Sequence, residues 1–352
     1  MRTNRWVIRL VAIVLLAVGE VRGEQAQKKG PVRVFILAGQ SNMDGQADVR
    51  TIDFLGEDPD PAKAALLKTF KPDGKLMTRA DVWVTSGGVS GNLGPGYGGR
   101  KNYDKLGNCI GPEYSFGYYM AEATENQILL IKYAPGGQSL YRDFRPPSAG
   151  IPPGEKPEDY GGQYRGMVKY VREVLDTLRQ RFPTYDERAG YEIAGFVWFQ
   201  GFNDMIQGGK PVEEYGSNLT SLIKDMRQEF KVPDMKVVVG VMGVNGVRNE
   251  DGKQGEIRRQ MRSMNTVPEF KGNVKAVESA PLLDPRIVDL LTAGWLNKER
   301  DLKANPLTDD EKAMIKRATS NKGFHYNGEG RFFILLGKAF AEAMQGLMGA
   351  KK

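Results

Sequence analysis

Four short clusters contain the side chains that ester-hydrolysing enzymes use, and each stands beside a predicted strand or helix. They occupy residues 39–43 (GQSNM), 135–139 (PGGQS), 198–204 (WFQGFND) and 324–326 (FHY). The Ser41 hydroxyl becomes an effective nucleophile when a base accepts its proton. His325 is the single histidine of the chain, so it is the one imidazole available for that task. Together they favour a serine hydrolase, although each cluster alone is more typical of a turn, a helix cap or a surface histidine.

Two of the clusters also supply hydrogen-bond donors for a ligand, and one of them, the Gln200 side chain, is of the kind that can point at an oxyanion. Gly136 and Gly137 let the backbone approach a ligand closely and present its N–H groups. Gln200 offers a neutral side-chain donor, and Asp204 adds a carboxylate four residues later. Taken alone, these residues are typical of a plain turn and of a polar loop at the end of a strand.

The composition is that of an ordinary globular protein and excludes several kinds of site. Of the 352 residues, 40% are hydrophobic and 26% are charged. The single cysteine, Cys109, excludes a disulfide within the chain and a cysteine-based zinc site. The single histidine excludes metal chemistry based on a histidine cluster. The net charge of +7 includes no block of five like charges, so it predicts a solvated surface and no nucleic-acid partner.

The first 23 residues have the pattern of an export signal. Arg2, Arg5 and Arg9 precede an uncharged apolar run over residues 10–18, and Gly23 ends a cleavage site of the expected kind. The run is too short to cross about 30 Å of hydrocarbon as a helix, so no stable membrane insertion is expected after cleavage. Cleavage removes four arginines and one glutamate and leaves a net charge of about +4. Export with one cysteine favours a bacterial periplasm or exterior.

Apolar runs alternate with amphipathic patterns after a polar tether at residues 24–31. The runs that predict buried strands are 32–38, 127–134, 194–199, 235–244 and, more weakly, 274–279. The patterns that predict helices are 113–123, 164–182, 215–230 and about 328–347. This alternation predicts one α/β domain over residues 32–347, with three α/β/α layers and a mostly parallel five-stranded sheet. Two loop-like stretches, 44–108 and 136–162, leave the carboxyl ends of strands, where such sheets bind ligands.

The combination of motifs resembles the SGNH hydrolase superfamily, which has a flavodoxin-like fold. Within it the chain is similar to the carbohydrate esterases typified by sialate O-acetylesterase and acetylxylan esterases. That group shows a strand followed by GQSNM-x-G, then GPE-x-x-FG, then K-x-A-x-GG-x-x-L. The matching segments here are residues 34–45, 111–117 and 132–140, in the same order. The resemblance extends over about residues 32–345, nearly the whole mature chain.

The resemblance implies a role for each cluster. Ser41 would be the nucleophile and His325 the general base. The oxyanion hole would consist of the Ser41 N–H, a glycine N–H at Gly136 or Gly137, and the Gln200 side chain. It implies neither a metal nor an organic cofactor. Substrate-binding or supporting positions would be Gln40, Asn42, Glu113, Asn203 and Asp204.

Two positions depart from the family's usual motifs. The family pattern Trp-x-Gln-Gly-Glu-x-Asp has Phe202 in place of the glutamate. The superfamily pattern Asp-x-x-His has Lys322 in place of the aspartate that orients the histidine. A lysine ammonium is only a donor, so another group must accept a hydrogen bond from His325. We expect a backbone carbonyl near residues 320–323, with a carboxylate such as Asp204 or Glu113, or water alone, as alternatives.

These observations predict a secreted serine esterase that removes O-acetyl groups from a carbohydrate, such as acetylxylan or an acetylated sialic acid or glycan. Two alternatives remain open. The first is a carbohydrate-binding protein on the same fold that has lost its catalytic acid. The second is an esterase of the same mechanism acting on another ester, such as a lipid or a thioester.

Overall fold

The computed structural model describes residues 30–99, 104–247, 250–292 and 306–349. The predicted export signal (residues 1–23) and most of the predicted tether lie outside the described residues. Within the described ranges, no helix combines the length and the apolar character needed to cross a membrane.

Seven strands of the described chain form one twisted sheet, and two shorter strands pair beside it. The large sheet has the order β4-β3-β6-β1-β7-β8-β9, and the small one pairs β2 with β5. All neighbours in the large sheet are parallel except β4, which is antiparallel to β3. The strands are β1 (Val32–Gly39), β2 (Ala47–Asp48), β3 (Arg79–Ser86), β4 (Val89–Leu93), β5 (Cys109–Ile110), β6 (Ile128–Tyr133), β7 (Tyr191–Phe199), β8 (Lys236–Val241) and β9 (Val274–Glu278).

The mostly parallel sheet is confirmed, but the prediction of five strands is wrong. The two additional strands, β3 and β4, lie in the stretch 44–108, which was predicted to be loop-like. They form a hairpin in which Ser86 pairs with Val89 across Gly87 and Gly88. Gly87 has a positive φ of 56°, which glycine adopts without strain. The short run over residues 82–85 and the paired glycines were the available signals for this hairpin.

All four segments that the apolar periodicity predicted are helical, and the structure adds helices that the periodicity did not predict. They are α1 (Ser41–Asp44), α2 (Pro61–Ala64), α3 (Leu66–Phe70), α4 (Glu113–Glu122), α5 (Gly162–Asp176), α6 (Leu178–Arg181), α7 (Phe202–Gln207), α8 (Lys210–Glu213), α9 (Tyr215–Glu229), α10 (Gly252–Arg262), α11 (Pro285–Thr292), α12 (Asp309–Ala318) and α13 (Gly330–Leu347). The predicted helix 164–182 is divided into α5 and α6 at Thr177. Two longer 3-10 helices, Val49–Glu57 and Gly323–Gly328, precede α2 and α13 respectively.

Helices cover both faces of the sheet. Successive side chains of a strand point to opposite faces, so neighbouring residues of β7 contact different helices. On β7, the Trp198 indole N–H donates to the Tyr215 hydroxyl of α9 over 3.2 Å. The next residue, Phe199, packs on Phe340 of α13 with ring centroids 5.6 Å apart. The sheet is therefore buried on both sides, and side chains reach solvent mainly from the strand ends and loops.

Candidate active site

Three of the four clusters meet at one edge of the sheet because β6, β1 and β7 are adjacent and parallel. Ser41 follows β1, Gly136 follows β6, and Gln200 follows β7. A Cβ atom placed on Gly136 would lie 3.8 Å from the Ser41 Cβ, so Gly136 directly faces Ser41. The Gln200 amide nitrogen donates to the Gln40 side-chain oxygen over 3.2 Å. The fold therefore brings the serine, the glycine turn and the glutamine together.

The turn that presents Ser41 requires a glycine at its start. A Cβ atom on Gly39 would lie 2.1 Å from the Phe199 carbonyl oxygen of the neighbouring strand. Ser41 is the first residue of α1, and the N–H groups at a helix start have no acceptor within the helix. In the described part of the chain, the Ser41 and Gly136 N–H groups have no hydrogen-bond acceptor. These two donors are therefore available to an oxygen atom of a ligand.

A fully buried ion pair contacts the backbone at the end of α1. The Lys132 ammonium lies 2.8 Å from the Glu113 carboxylate, and both side chains are inaccessible to solvent. Lys132 also donates to the Asp44 carbonyl at 2.5 Å and to the Tyr97 carbonyl at 2.9 Å. The other Glu113 oxygen accepts the Gly111 N–H. Glu113 therefore supports the backbone beside Ser41, and its partners are Lys132 and Gly111 instead of His325.

The Asp204 carboxylate contacts the loop after β6 and Gln200, and it does not contact His325. Its carboxylate accepts the backbone N–H groups of Leu140 (2.9 Å) and Tyr141 (2.8 Å) and the Gln200 amide (2.7 Å). Burial raises the pKa of Asp204 to about 6, although the hydrogen bonds from Gln200 and the two amides favour the ionised form. Asp204 therefore ties the glycine-containing loop to the end of β7.

The Gln200 side chain is buried and its donors are already occupied. Its amide nitrogen donates to Asp204 (2.7 Å) and to the Gln138 carbonyl (2.9 Å) and lies 3.2 Å from the Gln40 oxygen. Its side-chain oxygen accepts from the Tyr215 hydroxyl at 3.1 Å, which fixes the orientation of the amide. An amide nitrogen carries two hydrogens, so Gln200 has none left for an oxyanion in this geometry. It can donate to one only by giving up Gln138 or Gln40.

Gln40 and Asn203 link the three strand ends through their amide groups. Gln40 donates to the Asn203 side-chain oxygen over 3.0 Å, and Asn203 donates to the Gly137 carbonyl over 2.8 Å. Asn42, next to the serine, is 3% exposed. Its side-chain oxygen has no hydrogen-bond partner among the described residues. Gln40 and Asn203 thus connect the ends of β1, β6 and β7, and no contact assigns a role to Asn42.

The fourth cluster reaches the same edge through the 3-10 helix Gly323–Gly328, which contacts α1. The Phe324 ring lies 4.5 Å from the His325 ring and 5.8 Å from the Phe202 ring of α7, measured between centroids. Ser41 and His325 both lie within the part of the chain that the structure describes, and they form no direct hydrogen bond with each other. Catalytic hydrogen bonds are often long before substrate binds, so this geometry is compatible with a serine–histidine pair.

The partner of His325 is the Asn321 side chain, which is not among the predicted partners. The His325 Nδ1 atom lies 3.0 Å from the Asn321 side-chain oxygen. The Lys322 N–H donates to the same oxygen over 2.8 Å, which identifies that atom as the oxygen of the amide. The expected backbone carbonyl is wrong, since the Lys322 carbonyl instead accepts the N–H groups of His325 (2.9 Å) and Asn327 (3.0 Å). Neither Asp204 nor Glu113 supplies a carboxylate.

The loop around His325 is held by its own backbone and by one buried tyrosine. The Asn327 carbonyl accepts the N–H groups of Ser320 and Asn321, each at 2.9 Å. Tyr326 and Asn327 have positive φ angles of 52° and 56°, which ordinary residues seldom adopt. The Tyr326 hydroxyl accepts the Gly243 N–H over 3.0 Å, so the loop is anchored to the end of β8. Asn321 is four residues before His325 in the sequence, and this closed loop brings its side chain beside the imidazole ring.

Burial lowers the pKa of the His325 imidazole below its ordinary value. The ring is therefore neutral near pH 7, and a neutral imidazole with Nδ1–H directed at Asn321 leaves Nε2 unprotonated. An unprotonated Nε2 is the form that accepts a proton from a serine hydroxyl. The site thus combines a serine, a neutral imidazole held by an amide, and two backbone donors.

The fold and this grouping define an α/β protein with a serine, a histidine and an asparagine at the carboxyl edge of its sheet. The chain belongs to the family described as carbohydrate esterase, sialic acid-specific acetylesterase, whose model matches residues 31–285. The predicted family is therefore confirmed, and it is a family of carboxylic ester hydrolases. The matched range includes Ser41, Gly136, Gln200 and Asp204 and ends before His325.

Three individual proteins illustrate what this chain is similar to. A probable carbohydrate esterase of Arabidopsis thaliana is 31% identical over 74 residues, which is 21% of this chain and 26% of that protein. The structure of NanS is 14% identical, covers 92% of this chain and 100% of its own, and superposes with a TM-score of 0.51. A carbohydrate acetylesterase from Xanthomonas citri is 11% identical over 91% of this chain and 57% of its own, with a TM-score of 0.48.

Proposed function

We propose that this protein is an exported serine esterase of the SGNH type that removes O-acetyl groups from a carbohydrate. The observation that carries the proposal is the juxtaposition of Ser41 with the unoccupied N–H groups of Ser41 and Gly136, beside the loop that holds His325. The catalytic domain would extend over residues 32–347, and residues 1–23 would direct export.

In the first half of the reaction, the Ser41 Oγ atom attacks the acetyl carbonyl carbon while His325 Nε2 takes the hydroxyl proton. The Ser41 and Gly136 N–H groups donate to the oxyanion of the tetrahedral intermediate. Donors already aimed at the developing charge are worth about 3 kcal/mol each in other hydrolases. The intermediate collapses when the sugar oxygen leaves with the proton from His325, which leaves an acetyl group on Ser41.

In the second half, water attacks the acetyl-serine carbonyl and gives its proton to His325. The same N–H groups stabilise the second intermediate, and acetate leaves as Ser41 regains a proton. Asn321 accepts a hydrogen bond from Nδ1–H throughout and so keeps His325 in the tautomer that exposes Nε2. An amide oxygen bears only a partial negative charge, so it stabilises the imidazolium less than an aspartate would.

Gln200 acts in this proposal as a positioning residue. Its contacts with Asp204, Gln138 and Gln40 hold the three strand ends at a constant distance. It becomes a third oxyanion donor only if substrate displaces the Gln138 carbonyl or the Gln40 oxygen. Asp204 then supports the oxyanion site indirectly, through Gln200 and through the backbone at Leu140.

The test is the release of acetate from a panel of acetylated polysaccharides and acetylated sialic acid by the purified protein. We expect release from at least one carbohydrate, and none above background from Ser41→Ala. A series of aryl esters from acetyl to hexanoyl tests the acyl group, because a site built for acetate rejects butyryl and longer chains. Preference for the longer esters would instead favour the non-carbohydrate alternative.

A carbohydrate-binding protein without activity is the second candidate, and one observation favours it. His325 is paired with an amide, whereas a carboxylate is the usual partner of a catalytic histidine. A chromogenic acetyl ester separates the two candidates. Turnover that disappears in Ser41→Ala supports the enzyme, whereas binding of carbohydrate with no turnover supports the second candidate.

A further inference from the structure

Glu329 is a completely buried acid that the proposed reaction does not use. It lies where the 3-10 helix Gly323–Gly328 ends and α13 begins, and its carbonyl accepts the Phe333 N–H over 3.2 Å. Its side-chain oxygen Oε1 accepts a hydrogen bond from the Asn327 amide over 2.8 Å. The other oxygen, Oε2, is buried and has no hydrogen-bond partner among the described residues. A buried polar atom without a partner is destabilising, so stability alone does not account for a glutamate at this position.

The Glu329 carboxyl lies in a cluster with two other acids and two arginines. Arg331 favours its charged form, whereas the Asp284 carboxylate opposes it. Arg331 in turn contacts Asp58 at 2.5 Å, and Arg286 pairs with Asp284 at 2.6 Å. Three carboxyls therefore meet two guanidinium groups, so the cluster has a net negative charge when all three acids are ionised. Burial raises the pKa of Glu329 to about 7, so this carboxyl changes its charge close to neutral pH.

Three hydrogen bonds in series connect Glu329 to the imidazole of His325. The first is the bond from the Asn327 side chain to Glu329. In the second, the Asn327 carbonyl accepts the Asn321 N–H over 2.9 Å. The third joins the Asn321 side-chain oxygen to Nδ1 of His325 over 3.0 Å. Asn327 has a positive φ of 56°, a conformation that needs support from surrounding contacts in a residue other than glycine. Glu329 therefore holds the residue whose carbonyl positions Asn321.

We propose that Glu329 is a positioning residue for His325, which acts through Asn327 on the backbone that presents Asn321 to the imidazole. An ionised carboxylate accepts a stronger hydrogen bond than a neutral carboxylic acid does. The loop is therefore held most firmly when Glu329 is charged, and protonation of Glu329 leaves the imidazole less well oriented for proton transfer. The inference rests on the proposed esterase function for its effect on catalysis, whereas the titration of the imidazole is measurable without turnover.

The first experiment is the pH profile of kcat/KM for an acetyl ester. As pH decreases through the pKa of Glu329, activity should fall about fivefold, the difference between a hydrogen bond to a charged group and one to a neutral group. The larger loss follows at the lower pKa of His325. Glu329→Gln keeps an amide oxygen for Asn327 but does not ionise. It should therefore be about fivefold less active than the unmodified protein at about pH 8, equally active at low pH, and show the His325 step alone.

The second experiment follows the imidazole itself by nuclear magnetic resonance. His325 is the single histidine of the chain, so ¹⁵N-labelled protein purified without a histidine tag has one pair of imidazole nitrogen signals. In the unmodified protein we expect these signals to shift twice with pH. The smaller inflection, near pH 7, reports Glu329, and the larger one, below about 6.5, reports the imidazole. Glu329→Gln should remove the smaller inflection and leave the larger one.

Asn327→Gly tests the same link from its other end, and it decides the question if Glu329→Gln does not fold. Glycine adopts the positive φ without strain but lacks the amide that donates to Glu329. This variant should also lose the smaller inflection, and the double variant should be no less active than Asn327→Gly alone, because both changes interrupt one link. The matched control is Glu342→Gln, also on α13, whose 51% exposed side chain should leave both inflections in place.

The two readouts separate this inference from the function on which it rests. A single inflection in the unmodified protein, or a smaller inflection that persists in either variant, would overturn the role of Glu329 even if the protein hydrolyses acetyl esters. A loss of kcat/KM by the same factor at every pH in Glu329→Gln would also overturn it, because that result indicates a structural role alone. Loss of the smaller inflection in both variants of a protein that hydrolyses no ester would support the link to His325 and overturn the esterase.

Discussion

Ser41 and His325 reach the same edge of the sheet from regions that are organised in different ways. The surroundings of Ser41 are the ends of three adjacent parallel strands, held by the buried Lys132–Glu113 pair and by Asp204. The surroundings of His325 are one short loop whose contacts come mostly from residues within seven positions of each other. Long-range packing therefore fixes the nucleophile side, whereas local backbone geometry shapes the base side and the buried Tyr326 anchors it to the end of β8.

The difference explains why the motifs on one side are easy to recognise and those on the other are not. Every residue around Ser41 must fit between elements that are distant in sequence, so its type is narrowly restricted. A Cβ at Gly39 or a shorter side chain at Lys132 would disrupt contacts across the sheet. The histidine loop needs only an acceptor near Nδ1, and an amide at Asn321 meets that need from another position than the usual aspartate.

The largest effect is expected at the nucleophile. Ser41→Ala should lower kcat by about 10⁴-fold or more and leave the fold intact, because the hydroxyl forms the covalent intermediate. The measurement is steady-state hydrolysis of an acetyl ester, with circular dichroism as the control for folding. A fluorophosphonate should label Ser41 in the unmodified protein. Labelling at a different serine would mean that the serine at the end of β1 is not the nucleophile.

The base side is tested next, through His325→Gln and the pH dependence of kcat/KM. The substitution should cost about 10²–10⁴-fold, the usual contribution of general acid–base catalysis. In the unmodified enzyme, activity should fall as pH decreases through the pKa of His325, because a protonated imidazole cannot accept the Ser41 proton. Burial lowers that pKa, so the midpoint should lie below the ordinary value of about 6.5. Turnover close to that of the unmodified protein in His325→Gln would exclude this mechanism.

The claim that long-range packing holds the nucleophile side is tested at Lys132. Lys132→Met removes one partner of a fully buried ion pair and leaves Glu113 with an uncompensated charge. We expect a loss of about 3–5 kcal/mol in the free energy of unfolding, measured by urea denaturation. The matched control is Lys169→Met, at a side chain that is 77% exposed and that should change stability little. Equal free energies of unfolding for Lys132→Met and Lys169→Met would mean that the buried Lys132–Glu113 pair does not stabilise the structure around Ser41.

The smallest effect is expected at Asn321, where a single neutral hydrogen bond orients the imidazole. Asn321→Ala should lower kcat by up to about tenfold, which corresponds to the net energy of one such bond. Asn321→Asp restores a carboxylate beside Nδ1, so it should raise the pKa of His325 and shift the acidic limb of the pH profile upward. A stability change alone would leave that limb in place, so the pH profile distinguishes a positioning role from a structural one.

The sequence by itself predicted five of the seven strands in the large sheet, the main helices between them, and the family. Apolar runs and helical periodicity placed β1, β6, β7, β8 and β9 and the helices α4, α9 and α13 within a few residues of their observed bounds. These patterns can be recognised in the sequence because the apolar side chains on the buried face of an element recur at a regular spacing along one segment. The motifs around Ser41 could be recognised for a related reason, because few other residue types can replace the glycines and amide side chains at the ends of these strands.

Only the tertiary structure decided the partners of individual polar groups. In the structure the Nδ1 atom of His325 hydrogen-bonds to Asn321, and both amide hydrogens of Gln200 are donated to other groups of the protein. The β3–β4 hairpin also belongs to the large sheet. The tertiary structure also places Phe202 and Lys322, 120 residues apart in the sequence, on the wall of one cavity. Hydrogen bonds and cavities depend on distances of a few ångströms between remote segments, and no periodicity along the chain encodes those distances.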